Sequence, residues 1–253
     1  GEKLMPLAIL ECSRLGKVFA GSDGSVTALS DVSFSVGHQE FISIVGPSGC
    51  GKTTLLKIIA GLGPLTSGSI AFNGLAAQDR AEAVLVFQDH GLFPWMTVLE
   101  NVAFGLECKG VNSKKRKARA MSFINKLGLG SFASMYPSTL SMGMRQRVGI
   151  ARAFVSDPQL LLLDEPFGSL DAQTKIVLQE ELLRLWRERS MPVILVTHDI
   201  EEAVVLSDRV LVMSGRPGTI LEDIPVPLGR PRGERARENR EVLQIKHHIW
   251  DLL

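Results

Sequence analysis

A chain of 253 residues, 45% hydrophobic and 22% charged, can bury a full core as a single domain with room for a subdomain. Its net charge of +1 gives no global reason to expect nucleic acid or an anionic membrane as the ligand. Cys12, Cys50 and Cys108 are odd in number and widely spaced, which argues against a disulfide framework or a zinc site. No apolar run reaches the length of about 18 residues that a membrane span needs, so the chain is not expected to cross a membrane by itself.

From about Leu7 to Val36, apolar and polar residues alternate around Gly21-Ser22-Asp23-Gly24, predicting antiparallel strands and a tight turn. The apolar run Phe41-Ile42-Ser43-Ile44-Val45 then leads through Gly46-Pro47-Ser48-Gly49-Cys50-Gly51-Lys52-Thr53-Thr54 into Leu55-Leu56-Lys57-Ile58-Ile59-Ala60. Strand, glycine-rich loop and helix follow one another with the spacing of a Walker A phosphate loop. The glycines let successive backbone N–H groups turn inward around phosphate oxygens, and the helix presents its positive end to the same anion. In such a loop Lys52 reaches the β- and γ-phosphates and the Thr53 hydroxyl ligates Mg²⁺, so the chain is expected to bind a nucleoside triphosphate. Cys50 inside the loop makes a reducing cytosol the natural setting.

The helix stops at Gly61-Leu62-Gly63-Pro64. Ser69–Phe72 with Asn73-Gly74 predicts a hairpin strand and Ala83–Phe87 a buried one. Gln88, next in line, could supply an amide oxygen to Mg²⁺ or a hydrogen bond to an attacking water. From about Asp89 to Ser156 the pattern is helical. Lys114–Arg119 reads as the solvated face of an amphipathic helix that also carries Met121, Ile124 and Leu127. Ser141 suits the N-cap of a helix with Met144, Val148, Ala151 and Val155 on one face. That is a second helix N-terminus able to hold an anion, through which two copies could each cover the other's nucleotide.

Buried-strand runs return at Leu160–Leu163, Val193–Val196 and Val210–Met213, separated by helical stretches Gln173–Arg189 and Ile200–Leu206. This alternation predicts a parallel sheet covered on both faces. Residues 225–240, rich in Pro, Arg and Glu, read as a surface strap before a last short helix near Glu241–Leu253. The fold expected is α/β, a core of residues 7–88 and 157–253 with a helical insertion at 89–156, in one domain of residues 1–253.

The run Leu160–Leu163 ends in Asp164-Glu165, and open α/β sheets bind ligands beyond the carboxyl ends of their strands. Neighbouring strand residues point to opposite faces, so the two carboxylates take different roles. Asp164 suits the Mg²⁺ shell, directly or through water, and Glu165 suits the general base for an attacking water. His198, after Val193–Val196 and Thr197, could hydrogen-bond the γ-phosphate or orient Glu165.

Taken together, GPSGCGKTT, Gln88, LSMGMRQR, LLLLDEP, Ser169-Leu170-Asp171 and His198 resemble, in order and spacing, the ATP-binding-cassette (ABC) ATPases, from about Leu7 to Arg216. The resemblance implies a P-loop NTPase (RecA-like) core with an N-terminal antiparallel β subdomain and a helical signature subdomain. It implies ATP and Mg²⁺ as ligands, Walker A at Gly46–Thr53, the Q-loop at Gln88, the signature Ser141, Met142, Gly143 and Met144 acting in trans, and the D-loop at Ser169, Leu170 and Asp171. It also makes Asp164 and Glu165 the Walker B pair, His198 the switch histidine and Phe19 the aromatic that stacks on adenine.

FPWMTVLENV at 93–102, EPFGSLDAQT at 165–174, THDIEEAV at 197–204 and Arg216-Pro217-Gly218 look like the nitrate/sulfonate/taurine importer ATPases. That likeness implies a second cassette, taken as identical, transmembrane permease subunits and, indirectly, a solute-binding protein, with no nucleic acid. The protein is then expected at the cytoplasmic face of the membrane, peripherally bound, with Phe93, Pro94 and Trp95 against the permease. Met142 departs from the family's usual glycine and adds bulk where two subunits should approach. A soluble non-transport ABC protein and a small-molecule kinase are the rival expectations.

Overall fold

The computed structural model describes residues 8–253 except 22–23, 74, 77–82, 90, 231 and 233; Leu7, Ser22, Asp23 and Gly74 of the expected strands and turns therefore lie outside the described residues. The chain forms two compact units, Gly1–Leu85 with Gln159–Asp164 and Ser190–Leu253, and Val86–Pro158 with Glu165–Arg189. Among the described residues no helix is long and apolar enough to cross a membrane.

The first unit holds two sheets. β1 (Leu10–Gly21), β2 (Gly24–Val36), β4 (Ser67–Phe72) and β5 (Leu75–Ala76) form an antiparallel sheet in the order β2-β1-β4-β5. In β2 the residues Val32, Phe34 and Val36 are buried while Asp31, Ser33 and Ser35 are exposed, the alternation of a sheet with one wet face.

The other sheet runs β10 (Ile220–Pro225), β9 (Arg209–Met213), β3 (Phe41–Val45), β8 (Val193–Val196), β7 (Leu160–Asp164), β6 (Ala83–Val86). Strands β9, β3, β8 and β7 are parallel and β10 is an antiparallel edge. Every residue of β3, β7 and β8 is buried, as continuous apolar runs require when both faces are covered. Register aligns Ile44, Val196 and Asp164 across the three central strands. The loops after β3 and β8 and the end of β7 thus emerge at one edge of the sheet, the edge where such folds hold ligands. Helices α1 (Lys52–Ile59), α6 (Ile200–Leu206) and, at the far end of the chain, α7 (Arg240–Leu252) complete this unit.

The second unit contains α2 (Val98–Cys108), α3 (Ser113–Lys126), α4 (Met142–Val155) and α5 (Ala172–Arg189). Helix α5 packs with it, a grouping the sequence reading does not make: Arg147 of α4 pairs with Glu181 at 2.8 Å, and Gly143 lies against Thr174. Helix α4 is buried well beyond the expected stripe, at Ile150, Ala153 and Phe154 as well as Val148, Ala151 and Val155, because α2, α3 and α5 all pack on it. Lys114, Lys115 and Lys117 of α3 are exposed and Arg116 pairs with Glu107, a solvated basic face.

The strap at 225–240 is only partly a surface feature. Val226 and Arg232 are buried, and the Arg232 guanidinium donates to the carbonyls of Val204, Val226 and Leu228 at 2.8–3.2 Å and to that of Ser207. A charged residue in a Pro- and Arg-rich run reads as solvent-facing; saturation by backbone carbonyls is what permits its burial. Burial lowers its pKa to about 10.

Candidate functional site

The loop Gly46–Gly51 connects the buried β3 to α1. Gly51, immediately before α1, has φ +108°, and a Cβ there would meet Leu29 Cδ2 at 2.7 Å and the Ala28 carbonyl oxygen at 2.9 Å. Both the backbone conformation and the space demand glycine. Lys52 is buried; its ammonium turns back over the loop and donates to the carbonyls of Gly46 at 2.7 Å and Pro47 at 2.9 Å. The loop thus holds a buried positive charge, the sign that a phosphate would need.

The next residue, Thr53, donates its hydroxyl to Asp164 Oδ1 at 3.0 Å. Asp164 is buried at the end of β7. A hydroxyl and a carboxylate side by side are the hard oxygen donors that suit Mg²⁺, which Thr53 and Asp164 would hold directly or through water. Pro47, Ser48, Gly49, Cys50 and Thr54 complete the segment. Cys50 is buried, and the Arg216 guanidinium donates to the Gly49 carbonyl at 3.2 and 3.3 Å.

His198 lies beyond β8, between Thr197 and Asp199, and lines an open cavity with α6 and α7. Phe19 lies on β1, 48% exposed, with the Lys17 ammonium 4.9 Å from its ring centroid.

The second unit carries the remaining candidates. Glu165 has φ +46°, a left-handed conformation uncommon for a residue other than glycine, asparagine or aspartate and of the kind that collects at functional sites. Ser169, Leu170 and Asp171 lead into α5, and Asp171 caps it by accepting from the Thr174 N–H at 3.0 Å. That hydrogen bond and the Thr174 hydroxyl hold the Asp171 carboxyl below the usual range.

Ser141 caps α4, accepting from the Met144 N–H at 3.3 Å. A Cβ on Gly143 would sit 2.8 Å from Thr174 Cγ2, so a side chain there would require Thr174 of α5 to shift. Met142 is 40% exposed, with its sulfur 3.8 Å from an Arg145 guanidinium nitrogen. Gln88 is exposed in the turn after β6.

Phe93 is half-buried against Phe104, centroids 4.6 Å apart, whereas Pro94 and Trp95 are exposed, Trp95 by 70%. The geometry therefore brings Lys52, Thr53 and Asp164 together, and leaves Phe19, Gln88 and Trp95 open to solvent.

Sequence reasoning missed Asn101. This buried residue of α2 donates to the carbonyls of Phe93, Met96 and Thr97 and accepts from the Phe93 N–H, all at 2.8–3.1 Å. One amide thereby pins the whole loop carrying Phe93, Pro94 and Trp95. An asparagine followed directly by the apolar run Val102–Phe104 was the available signal.

Residues 29–168 match the family model described as ABC transporter. The chain is 45% identical over 232 residues to the nitrate import ATP-binding protein NrtD of Synechocystis sp., covering 91% of this chain and 86% of that protein. It is 44% identical over 249 residues to the taurine import ATP-binding protein TauB of Pseudomonas savastanoi, covering 96% and 95%. An uncharacterized ABC transporter ATP-binding protein of Methanocaldococcus jannaschii, MJ0412, is 45% identical over 245 residues, 96% of this chain and 91% of that one.

Among solved structures, the dimeric bacterial ABC transporter cassette MJ0796 matches with a TM-score of 0.78 at 31% identity, covering 87% of this chain and all of the other. A post-hydrolysis dimer of the same cassette, bound to ADP and Pi, matches equally well, with a TM-score of 0.78. The parallel sheet with its antiparallel companion, the phosphate loop and these likenesses agree: the chain belongs to the ABC transporter family and is an ATP-binding, ATP-hydrolysing subunit of it.

Proposed function

We propose that this ATPase drives uptake of a small anion of the nitrate, sulfonate or taurine kind through a separate permease, from the cytoplasmic face of the membrane. The observation that carries the reading is the joint placement of Lys52, Thr53 and Asp164 at the phosphate loop of a chain about 45% identical to nitrate and taurine import ATP-binding proteins.

ATP is the substrate. The Gly46–Thr53 backbone and Lys52 bind its phosphates, and Phe19 stacks on the base. Thr53 and Asp164 hold Mg²⁺, with Gln88 as a further oxygen donor; the ion supplies charge neutralisation at the phosphates. Glu165 accepts a proton from the attacking water while Lys52 stabilises charge on the transferring phosphoryl group. His198 hydrogen-bonds the γ-phosphate or orients Glu165.

A second copy of the chain presents Ser141 and the amides near Gly143 to that nucleotide, with Ser169–Asp171 at the junction. Phe93, Pro94 and Trp95 receive the permease, to which a solute-binding protein delivers the ligand. Reconstitution with the permease tests this: nitrate, taurine or an alkanesulfonate should stimulate ATP hydrolysis. Stimulation by none of them, with only unrelated solutes active, would overturn the cargo assignment while leaving the ATPase intact.

A further inference from the structure

The segment after β10 has no part in the reaction proposed above, yet it supports the element that follows His198. That residue sits in a three-residue link between β8 and α6, and its neighbours on both sides are fixed. The Thr197 N–H donates to the Ile44 carbonyl at 3.2 Å. The Asp199 N–H donates to Thr197 Oγ1 at 3.0 Å, and Asp199 Oδ1 caps α6 by accepting from the Glu202 N–H at 3.1 Å. His198 is therefore carried by α6.

Helix α6 has seven residues, too few to be stable without tertiary support. The C-terminal segment supplies that support along its length. Val242 and Ile249 of α7 are buried with Ala203 and Val204 of α6. At its carboxyl end, Arg232 holds the carbonyls of Val204 and Ser207. At its amino end, the Glu201 carboxylate takes Arg237 at 2.7 Å on one oxygen and Lys246 of α7 on the other.

A cavity of about 530 Å³ runs along this junction, walled by His198, Asp199 and Glu201 on the α6 side and by Lys246, His247 and Trp250 on the α7 side. The hydrophobic contacts, Ile200 among them, fix where α6 lies, and the Glu201 clamp adds charged, directional contacts within one turn of His198. We propose that Arg237 and Lys246, acting through Glu201, are positioning residues for His198, so that α7 is a working part of the hydrolytic apparatus. The inference rests on the role given to His198 above.

Steady-state hydrolysis of Mg·ATP by the full chain tests it. Lys246→Met and Glu201→Gln should each lower kcat roughly tenfold, the scale of a small misplacement of a catalytic group, with KM for ATP unchanged. Lys246→Arg should restore most of the rate. In a His198→Ala background neither substitution should lower the rate further. Equal fold-losses in both backgrounds would mark a general structural effect and overturn the proposal, as would normal kcat in Lys246→Met and Glu201→Gln.

The two readings fail separately. If His198→Ala is slow while Glu201→Gln is normal, only the positioning role falls. If His198→Ala turns over normally, the role of His198 falls and this inference with it. Amide exchange gives a second measure that does not depend on residual activity. Lys246→Met should speed exchange over residues 197–203 and leave α1 unchanged; unaltered exchange at 197–203 overturns the proposal.

Discussion

The phosphate loop and the Phe93–Met96 loop are both irregular segments, and they are held in opposite ways. In the phosphate loop the polar groups turn inward, with Lys52 buried on the carbonyls of Gly46 and Pro47. In the other loop one buried side chain, Asn101, satisfies the backbone from behind, and Trp95 faces solvent. The first geometry suits a small anion that can replace internal hydrogen bonds one for one. The second suits a macromolecular surface, because a large aromatic on a fixed backbone loses little entropy when it is covered. A loop can be rigid either to enclose or to be covered, and the direction of its polar groups tells which.

The sharpest way to test that contrast is to remove chemistry from one region and support from the other. Glu165→Gln should lower ATP hydrolysis by roughly two to four orders of magnitude, the weight of a general base, with nucleotide still bound. Normal phosphate release by this variant would take Glu165 out of the reaction. Gly51→Ala comes next. It forces a side chain into a left-handed conformation and into the backbone at Ala28, at a cost of about 1–3 kcal/mol before any strain from the contact with Leu29. A lower melting temperature and weaker nucleotide binding should appear together; retention of both would show that the loop relaxes freely.

Asn101→Ala should cost about 1–3 kcal/mol, since it removes the side-chain partner of the half-buried Phe93 N–H and Met96 carbonyl. Its effect should concentrate on coupling: solute-stimulated hydrolysis in the reconstituted transporter should fall further than the basal rate of the isolated chain. Equal falls in both would mean that the loop serves only the stability of the helical unit.

Much of this was legible in the sequence, for a physical reason. Strand β3, the phosphate loop and α1 are contiguous, so spacing alone carries their arrangement; the run Ile200–Leu206 was read as the helix that forms there. Asp164 was readable as a strand end because the four residues of β7 before it are all leucine. What the sequence hid depends on contacts between distant segments. Asn101 serves a loop from the other side of a helix start, Arg216 reaches the phosphate loop across more than 160 residues, and Arg232 is buried although its neighbours read as a strap. Helix α5 has the composition of a surface helix, and only its packing on α4 assigns it to the second unit.

The smallest expected effect belongs to Met142. Within this chain nothing demands glycine there: Met142 opens α4 as an ordinary helical residue, outside the set with positive φ, and its side chain lies exposed beside Arg145. At Gly143, by contrast, a side chain would press on Thr174. A methionine at 142 therefore costs the isolated subunit nothing, and glycine there would weaken the first turn of α4 by up to about 1 kcal/mol. Any penalty of the methionine arises only when a second copy closes over nucleotide, where the side chain must be accommodated. Met142→Gly should thus leave ATP binding by the single subunit unchanged, lower its melting temperature slightly, and raise hydrolysis in the reconstituted complex by a small factor. A fall in hydrolysis would mean that Met142 contributes packing at the junction of the two copies instead of obstructing it.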